Sequence, residues 1–204
     1  MAIKKGEVAF ITGAASGHGR VVIVDLNEDA GKAYAEELNK KAGSAVAISA
    51  KADTTKFEEQ LAAYELAKEK FGRIDYVFAN AGIAELPWLT PGPARSVSDA
   101  LSQPITPPNL ATVNIDLIGQ LNTAALALQI FERQEKNELG LRGKLILTAS
   151  VFGYYPCASM PMYATAKAGI VNFMRSAAVF FKARDVTVNC SMCYIPPLSL
   201  RSGQ

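Results

Sequence analysis

The stretch VAFITGAASGHG, residues 8–19, decides the fold class of this chain. Its first four residues are apolar and have the length and composition of a buried strand. A glycine-rich turn follows without a gap. Glycine gives the backbone unusual angles and lets the main chain approach a pyrophosphate closely. The stretch therefore indicates a strand that leads into a phosphate-binding turn, although a glycine cluster on its own also suits an ordinary tight turn.

Strands and helices alternate along the rest of the chain. Further apolar runs predict strands at residues 21–24, 45–49, 74–79, 144–148 and 186–192. Helices are predicted from an N-cap at Asn27 to about Lys40, from an N-cap at Thr54 or Thr55 to Phe71, and over residues 110–133 and 163–183. The strands show no polar alternation, which is typical of a parallel sheet covered on both faces. The sequence thus predicts one Rossmann-like α/β domain over residues 1–204, a doubly wound parallel sheet between two helical layers. Residues 86–108, rich in proline and serine, predict a long loop.

Composition narrows the class of protein. Of 204 residues, half are hydrophobic and one fifth are charged, with a formal net charge of +2. These values are typical of a soluble globular protein. The basic residues are scattered, which argues against a nucleic-acid or anionic-membrane partner. The N-terminus lacks the apolar region of a signal peptide, and no apolar run approaches the roughly 18 residues of a membrane span, so we expect a cytoplasmic protein.

Cysteine and histidine are scarce. Cys157, Cys190 and Cys193 leave one thiol unpaired in any arrangement, which excludes a disulfide scaffold. The Cys190-x-x-Cys193 motif has no second pair beside it, and this favours small side chains on a strand over a zinc site. His18 is the only histidine, so a Ser-His-Asp triad or a histidine-rich metal site would have to be built on it. The sequence predicts no metal site.

Tyr163 and Lys167 carry the clearest chemical signal. Residues four apart on a helix share one face. A nearby ammonium stabilises the ionised form of a phenol. Free tyrosine has a pKa of about 10, and lowering that value makes the phenol a usable general acid or base at neutral pH. Ser150 lies upstream, at the end of an apolar run. The pattern predicts proton transfer.

Asp25 ends the second predicted strand. A carboxylate at this position can accept hydrogen bonds from a ribose 2′-hydroxyl and repels a 2′-phosphate. The turn has Ala14 and Ala15 where a basic side chain could have neutralised that phosphate, and Leu26 follows the aspartate. The sequence therefore predicts NAD rather than NADP as the cofactor.

Taken in order, these motifs resemble those of the short-chain dehydrogenase/reductase family. The resemblance covers nearly the whole chain and rests on an ordered set of residues: Thr12, Gly13, Ser16, Gly17, His18 and Gly19 in the turn, then Asp25, Asp53, Asn80-Ala81-Gly82, Asn114, Ser150, Tyr163 and Lys167. The overall pattern is similar to family members of the 15-hydroxyprostaglandin dehydrogenase type. Any one motif could occur by chance, whereas the ordered set is specific.

The resemblance implies an oxidoreductase that transfers a hydride between a nicotinamide cofactor and a secondary alcohol or ketone. Tyr163 would be the acid/base, Lys167 would lower its pKa and bind the nicotinamide ribose, Ser150 would bind the substrate oxygen, and Asn114 would hold a water. Asp53 would contact the adenine. The implied cofactor-binding residues are Gly13, Ser16, Gly17, His18, Gly19, Asp25, Asp53, Asn80, Ala81, Gly82, Tyr163 and Lys167.

Aromatic and methionine side chains suggest a fairly apolar substrate. They cluster between Ser150 and Tyr163, and Trp88 stands in the predicted long loop. Such side chains can line a pocket, and they also suit an ordinary core or interface. The members of this group are Phe152, Tyr154, Tyr155, Met160 and Met162.

Two departures from the family pattern stand out. Residues 12–20 are all that separate the first strand from Val21, whereas neighbouring parallel strands need a crossover of about a dozen residues or more. The family's first helix is therefore expected to be missing. The family's Pro-Gly after residues 186–192 and its substrate-covering segment are also missing. Three alternatives stay open: the chain is part of a longer protein, it is a shortened product, or it folds differently around the gap.

These departures support an alternative function. A chain without the first helix and the substrate segment could bind the cofactor weakly and act as a pseudoenzyme or an assembly partner. The resemblance implies association into a homodimer or homotetramer through the helices at residues 110–133 and 163–183. Their small and apolar faces could pack across a two-fold axis.

Overall fold

A computed structural model of the protein describes residues 6–13, 20–85 and 96–193. Six parallel strands form a sheet in the order β3-β2-β1-β4-β5-β6. Their bounds are β1 (Val8–Thr12), β2 (Arg20–Asp25), β3 (Ala47–Lys51), β4 (Tyr76–Ala79), β5 (Gly143–Ser150) and β6 (Val186–Cys193). The strand order reverses between β1 and β4, which is where doubly wound sheets open a crevice for ligands. The predicted fold class is confirmed.

Helices connect the strands. They are α1 (Glu28–Ala42), α2 (Phe57–Phe71), α3 (Val97–Leu101), α4 (Ala111–Val113), α5 (Gln120–Phe131) and α6 (Pro161–Lys182), with a 3₁₀ turn at Val151–Gly153. A π-helical turn, Asn114–Gly119, joins α4 to α5 without a break. The short helix α3 lies in the stretch predicted as a loop, so that prediction was wrong for these five residues.

Local sequence signals account for the bounds of α1. The side chain of Asn27 accepts a hydrogen bond from the backbone N–H of Ala30, as an N-cap does. Gly43 follows the last helical residue with φ = 65°, a left-handed angle that favours glycine, and its N–H bonds to the carbonyl of Lys40. The two caps hold α1 in position after β2, so that Asp25 stays at the carboxyl edge of the sheet.

Each face of the sheet has its own core. Val8 and Phe10 of β1 point to the face covered by α2, α5 and α6, where the ring of Phe10 stacks on Tyr64 at 3.9 Å between centroids. Ala9 and Ile11, the alternating residues, point to the other face and pack with α1. Helices therefore lie on both faces, and the predicted three-layer arrangement is confirmed.

The first crossover is short. β1 and β2 are parallel neighbours in register from Val8 with Arg20 to Thr12 with Val24. Residues 13–19 alone connect them, and seven residues leave no room for a helix of several turns followed by a return along the sheet. This agrees with the expected incomplete crossover. The strands on either side of the gap keep the parallel pairing of a doubly wound sheet.

Across the described ranges, every helix is either too short or too polar to cross a bilayer.

Candidate active site

A cleft lies at the carboxyl ends of β1, β2 and β4. It encloses about 370 Å³ and is lined in part by the first residues after these strands. Because parallel strands end at the same edge, residues distant in sequence meet there. The cleft brings together six of the predicted cofactor-binding residues: Gly13, Asp25, Asp53, Asn80, Ala81 and Gly82. The predicted residues Ser16, Gly17, His18 and Gly19 lie outside the described residues.

Two carboxylates line this cleft. Asp25 ends β2, and its Oδ1 accepts a hydrogen bond of 2.9 Å from the backbone N–H of Asn27. Asp53 follows β3, and its Oδ1 accepts from both the backbone N–H and the hydroxyl of Thr55, at 2.9 and 2.8 Å. These two bonds, the backbone one first, lower the pKa of the Asp53 carboxyl below its ordinary value of 3.8. Asp53 therefore presents negative charge to the cleft at neutral pH.

Asn80, which follows β4, forms hydrogen bonds with residues at the end of β1 and in β5 at the base of the cleft. Its Nδ2 donates to the carbonyls of Thr12 and Gly13 at 3.1 and 2.8 Å, and its Oδ1 accepts from the hydroxyl of Thr148 at 3.0 Å. The hydroxyl of Thr12 in turn accepts from the N–H groups of Asn80 and Ala81. Asn80 is thus held by hydrogen bonds from β1 and β5, and the position of the turn after β4 is fixed.

Two glycines let backbone segments approach closely here. Gly13 has φ = 64°, and a Cβ at that position would lie 2.9 Å from the Cα of Ala81. A Cβ on Gly82 would lie 2.8 Å from Oδ2 of Asp116. Real Cβ atoms do not approach other heavy atoms so closely, so a side chain at either position would force the turn after β4 to move. The packing requires glycine at both positions, and at Gly13 the left-handed backbone angle favours it as well.

Tyr163 and Lys167 lie on the first turns of α6, as the spacing predicted. Tyr163 is 5% exposed and Lys167 2% exposed. The Nζ of Lys167 lies 5.3 Å from the centroid of the Tyr163 ring and donates a hydrogen bond of 3.0 Å to the carbonyl of Thr148. An ammonium group at this distance, largely removed from water, favours the phenolate form of the tyrosine.

Lys167 has a second partner that the sequence analysis did not identify. Its Nζ lies 3.0 Å from Oδ2 of Asp116, and the two side chains are 3% and 1% exposed. The Oδ1 of Asp116 accepts a hydrogen bond of 2.7 Å from the backbone N–H of Ile83. A buried ion pair therefore links the π-helical turn, α6 and the segment after β4.

Asn114 occupies a different environment from the one expected. It is exposed at the first residue of the π-helical turn, and the side chain from this turn that reaches Lys167 belongs to Asp116. The sequence does contain a signal for Asp116, because it is the only charged residue between Leu110 and Phe131. A lone carboxylate in an apolar helix needs a buried partner.

Ser150 ends β5 and is fully buried. Its Oγ accepts a hydrogen bond of 3.3 Å from the backbone N–H of Phe152, the second residue of the 3₁₀ turn. This turn packs on α6, where a Cβ at Gly153 would lie 2.9 Å from the carbonyl oxygen of Lys167. The packing fixes the strand that carries Ser150 relative to the helix that carries Tyr163 and Lys167.

The predicted pocket-lining group divides by exposure. Tyr154 and Tyr155 are 51% and 69% exposed, and the guanidinium of Arg175 lies over the Tyr154 ring at 5.2 Å. Phe152, Met160 and Met162 are half-buried. Trp88 lies outside the described residues. Their role toward a substrate stays a prediction.

Comparison with known proteins shows the family. A family model described as short chain dehydrogenase matches residues 7–196. This chain belongs to the short-chain dehydrogenase/reductase family. It is 34% identical over 169 residues to the short-chain dehydrogenase/reductase prx7 of Penicillium rubens, covering 83% of this chain and 57% of that protein. It is 31% identical over 211 residues to (−)-trans-carveol dehydrogenase of Rhodococcus erythropolis, covering 93% and 70%.

The fold comparison agrees. The crystal structure of levodione reductase superposes with a TM-score of 0.71 at 25% identity, covering 91% of this chain and 70% of that one. The chain thus spans between about half and three quarters of the length of the family members it matches. The resemblance to the 15-hydroxyprostaglandin dehydrogenase type stays a prediction.

Proposed function

We propose that the protein is an NAD-dependent oxidoreductase that transfers a hydride between the cofactor and a secondary alcohol or ketone. The observation that carries the proposal is the buried pair on α6, in which the ammonium of Lys167 lies 5.3 Å from the ring of Tyr163. A buried phenol beside an ammonium is suited to proton exchange near neutral pH. Membership of a family of dehydrogenases and reductases supports the same reaction class.

The described residues of the cleft fit a dinucleotide. The cleft lies at the reversal of strand order. Because Gly13 has no side chain, the ends of β1 and β4 approach each other more closely than a Cβ at this position would allow. Asp25 would bind the adenosine ribose, Asp53 would contact the adenine, and residues 80–82 would line the path toward the nicotinamide. Ser16, Gly17, His18 and Gly19 are proposed to bind the pyrophosphate. When bound, the nicotinamide ring supplies the hydride acceptor or donor.

The chain's own residues supply the proton chemistry. The phenolate oxygen of Tyr163 accepts the proton of the alcohol in oxidation, and the resulting hydroxyl returns it in reduction. The ammonium of Lys167 stabilises the phenolate and is held in place by the carbonyl of Thr148. Ser150 is proposed to donate a hydrogen bond to the substrate oxygen as negative charge develops there.

Several finer features belong to the same proposal. The carboxylate of Asp25 supports NAD over NADP, because it would repel a 2′-phosphate. The half-buried Phe152, Met160 and Met162 support a fairly apolar substrate. We further propose one domain, a cytoplasmic location, and a homodimer or homotetramer formed through α5 and α6, whose exposed apolar residues include Val179 and Phe180. The comparisons give no support to the non-catalytic alternative.

The test combines a titration with a turnover assay. NAD is titrated into the protein by calorimetry, and NADH formation is then followed by absorbance with a panel of secondary alcohols. Tyr163→Phe should bind NAD nearly as tightly as the wild type and lose turnover by about 10²- to 10⁴-fold, the usual contribution of a general acid or base. Tyr34→Phe, on α1, is the matched control and should leave turnover unchanged.

Two results would count against the proposal. Wild-type turnover in Tyr163→Phe would remove the phenol from the reaction. Absence of NAD binding and of turnover in the wild-type chain would favour the pseudoenzyme or assembly role instead.

A further inference from the structure

The ammonium of Lys167 is not the only charge near the phenol. Its Nζ lies 3.0 Å from Oδ2 of Asp116, and both side chains are almost completely buried. Charges interact more strongly in such surroundings than in water, because little solvent screens them. The effect of the lysine on Tyr163 therefore depends on the carboxylate that faces it.

Asp116 is fixed from three directions. Its Oδ1 accepts a 2.7 Å hydrogen bond from the backbone N–H of Ile83, and its Oδ2 faces Lys167. A Cβ at Gly82 would lie 2.8 Å from Oδ2, so the carboxylate fills the space that a side chain there would need. The π-helical turn that carries Asp116 packs against α6, where a Cβ at Gly169 would lie 2.9 Å from the Leu117 side chain. The carboxylate has no room to swing away from the lysine.

Another ionisable group, from the segment after β4, contacts the backbone of Tyr163. Glu85 is 8% exposed, and its Oε2 accepts a hydrogen bond of 2.8 Å from the backbone N–H of Tyr163. Within the described residues, the titratable groups packed around Tyr163 from α6, the π-helical turn and this segment are thus Lys167, Asp116 and Glu85. One cation is balanced by two carboxylates, and of these Asp116 is the one in contact with the cation.

We infer that Asp116 is a positioning residue that sets the pH range in which Tyr163 gives up its proton, by holding Lys167 and offsetting its charge. A lone ammonium would favour the phenolate strongly, and a carboxylate bound to the same ammonium opposes that effect. Removing the charge of Asp116 therefore makes Tyr163 ionise at lower pH. The consequence for turnover rests on the proposed function, whereas the ionisation itself does not.

Asp116→Asn is the sharpest variant because asparagine has nearly the same shape and no charge. Asparagine has an NH₂ group in place of one carboxylate oxygen, so a donor would face either the N–H of Ile83 or the ammonium of Lys167. Asp116→Ser is a second variant, smaller and also uncharged, for the case in which the asparagine chain does not fold. Asp185→Asn is the matched control, since it removes a carboxylate from a partly exposed ion pair with Lys136 at a left-handed position that asparagine tolerates.

The experiment is a pH titration of the cofactor-free protein, with phenolate absorbance as the readout. The chain has seven tyrosines, so each curve is taken as the difference from the same protein carrying Tyr163→Phe. Cooperative unfolding of every variant is checked first by circular dichroism. We expect the midpoint of Tyr163 to fall by about one pH unit in Asp116→Asn or Asp116→Ser and to stay unchanged in Asp185→Asn. An unchanged or higher midpoint in the folded Asp116 variants would overturn the inference.

Turnover separates this inference from the proposed function. If the protein is the proposed enzyme, the acid limb of its pH–rate profile should move to lower pH by the same amount as the absorbance midpoint. A shift of the absorbance midpoint in a protein without turnover would support the inference and refute the proposed function. Turnover by the wild-type protein, together with an unshifted absorbance midpoint in the Asp116 variants, would support the proposed function and refute the inference.

Discussion

The carboxylate of Glu85 accepts a 2.8 Å hydrogen bond from the backbone N–H of Tyr163, although the two residues are 78 positions apart. Tyr163 is the third residue of α6, and the first N–H groups of a helix have no partner within the helix. Met160, which precedes the helix, makes no capping hydrogen bond with its side chain. Glu85 therefore serves as a cap from another part of the chain, and it fixes the helix that carries Tyr163 and Lys167.

Two substitutions of Glu85 should distinguish its role as a hydrogen-bond acceptor from the effect of its negative charge. Glu85→Ala removes the acceptor and should lower the free energy of unfolding by about 1–3 kcal/mol, because a buried N–H is left unpaired. Glu85→Gln keeps an acceptor oxygen and should cost less than about 1 kcal/mol, mostly from the lost charge at the helix N-terminus. Urea unfolding measures both values. Glu28→Ala, in an exposed pair with Lys32, is the control and should leave the free energy of unfolding nearly unchanged, because solvent screens the pair. Equal losses for Glu85→Ala and Glu28→Ala would exclude the capping role.

Gly82→Ala should destabilise the protein by about 1–3 kcal/mol, since its Cβ would lie 2.8 Å from Oδ2 of Asp116 and force the ion pair or the turn to move. Gly31→Ala is the matched control. Its Cβ would meet Ser49 at 3.5 Å, an ordinary contact, and alanine suits a helix better than glycine. We expect Gly31→Ala to stabilise the protein by roughly 0.5–1 kcal/mol. Thermal unfolding of both variants gives the comparison, and a neutral Gly82→Ala would show that the turn yields easily.

Asp53 should make stability depend on pH in the acid range. Its pKa is lowered in the folded protein because the N–H and hydroxyl of Thr55 bond to the ionised carboxylate. A lowered folded pKa stabilises the folded state above the unfolded pKa, and this contribution is lost as pH falls through the folded value. Asp53→Asn should therefore be less stable than the wild type at pH 7, by under about 1 kcal/mol because solvent screens the group. The difference should be smaller at pH 3 than at pH 7, because the carboxyl of the unfolded chain is then mostly protonated. Urea unfolding at both pH values checks the sign, and an equal difference at both would be incompatible with it.

Asp25→Ser should change the choice of cofactor. Loss of the carboxylate removes the repulsion of a 2′-phosphate and the acceptor for the 2′-hydroxyl, so the ratio of NADP to NAD affinity should rise by about tenfold or more. Calorimetric titration with both dinucleotides measures the ratio. Asp29→Ser removes an exposed acid from the first turn of α1 and should leave the ratio unchanged. Tighter binding of NADP than NAD by the wild-type chain would contradict the role of Asp25 directly.

Hydrophobic patterning predicted the strands and long helices well, because buried parallel strands are short apolar runs that few other structures imitate. The strand predicted at residues 186–192 is β6, Val186–Cys193, and the helix predicted at residues 163–183 is α6, Pro161–Lys182. Boundaries shifted where burial is partial. The strand predicted at residues 45–49 is β3, Ala47–Lys51, whose last residues are only partly buried or exposed. The short helix α3 was missed because it has only five residues, all exposed, in a stretch rich in proline and serine that was predicted as a loop.

The site was predicted where its residues are close in sequence. The four-residue spacing of Tyr163 and Lys167 gives their common helix face directly. Asp116 and Glu85 were missed because each meets α6 only through the tertiary fold, 51 and 78 positions away, and no spacing rule connects such residues. Asn114 was predicted from the family resemblance. The π-helical turn begins at this residue, and its winding determines that Asp116 faces Lys167.

The π-helical turn sets the rotation, around the helix axis, of the residues before it relative to those of α5. A π-helical turn accommodates one residue more than an α-helical turn of the same rise, so residues on either side of Asn114–Gly119 are rotated relative to a regular helix. Deleting one residue from the turn, for example Ile118, would restore regular winding and rotate everything before it by about 100° around the helix axis. The carboxylate of Asp116 would then leave Lys167 while every strand of the sheet stayed in place. The extra residue of the π-helical turn therefore determines whether the carboxylate of Asp116 reaches Lys167.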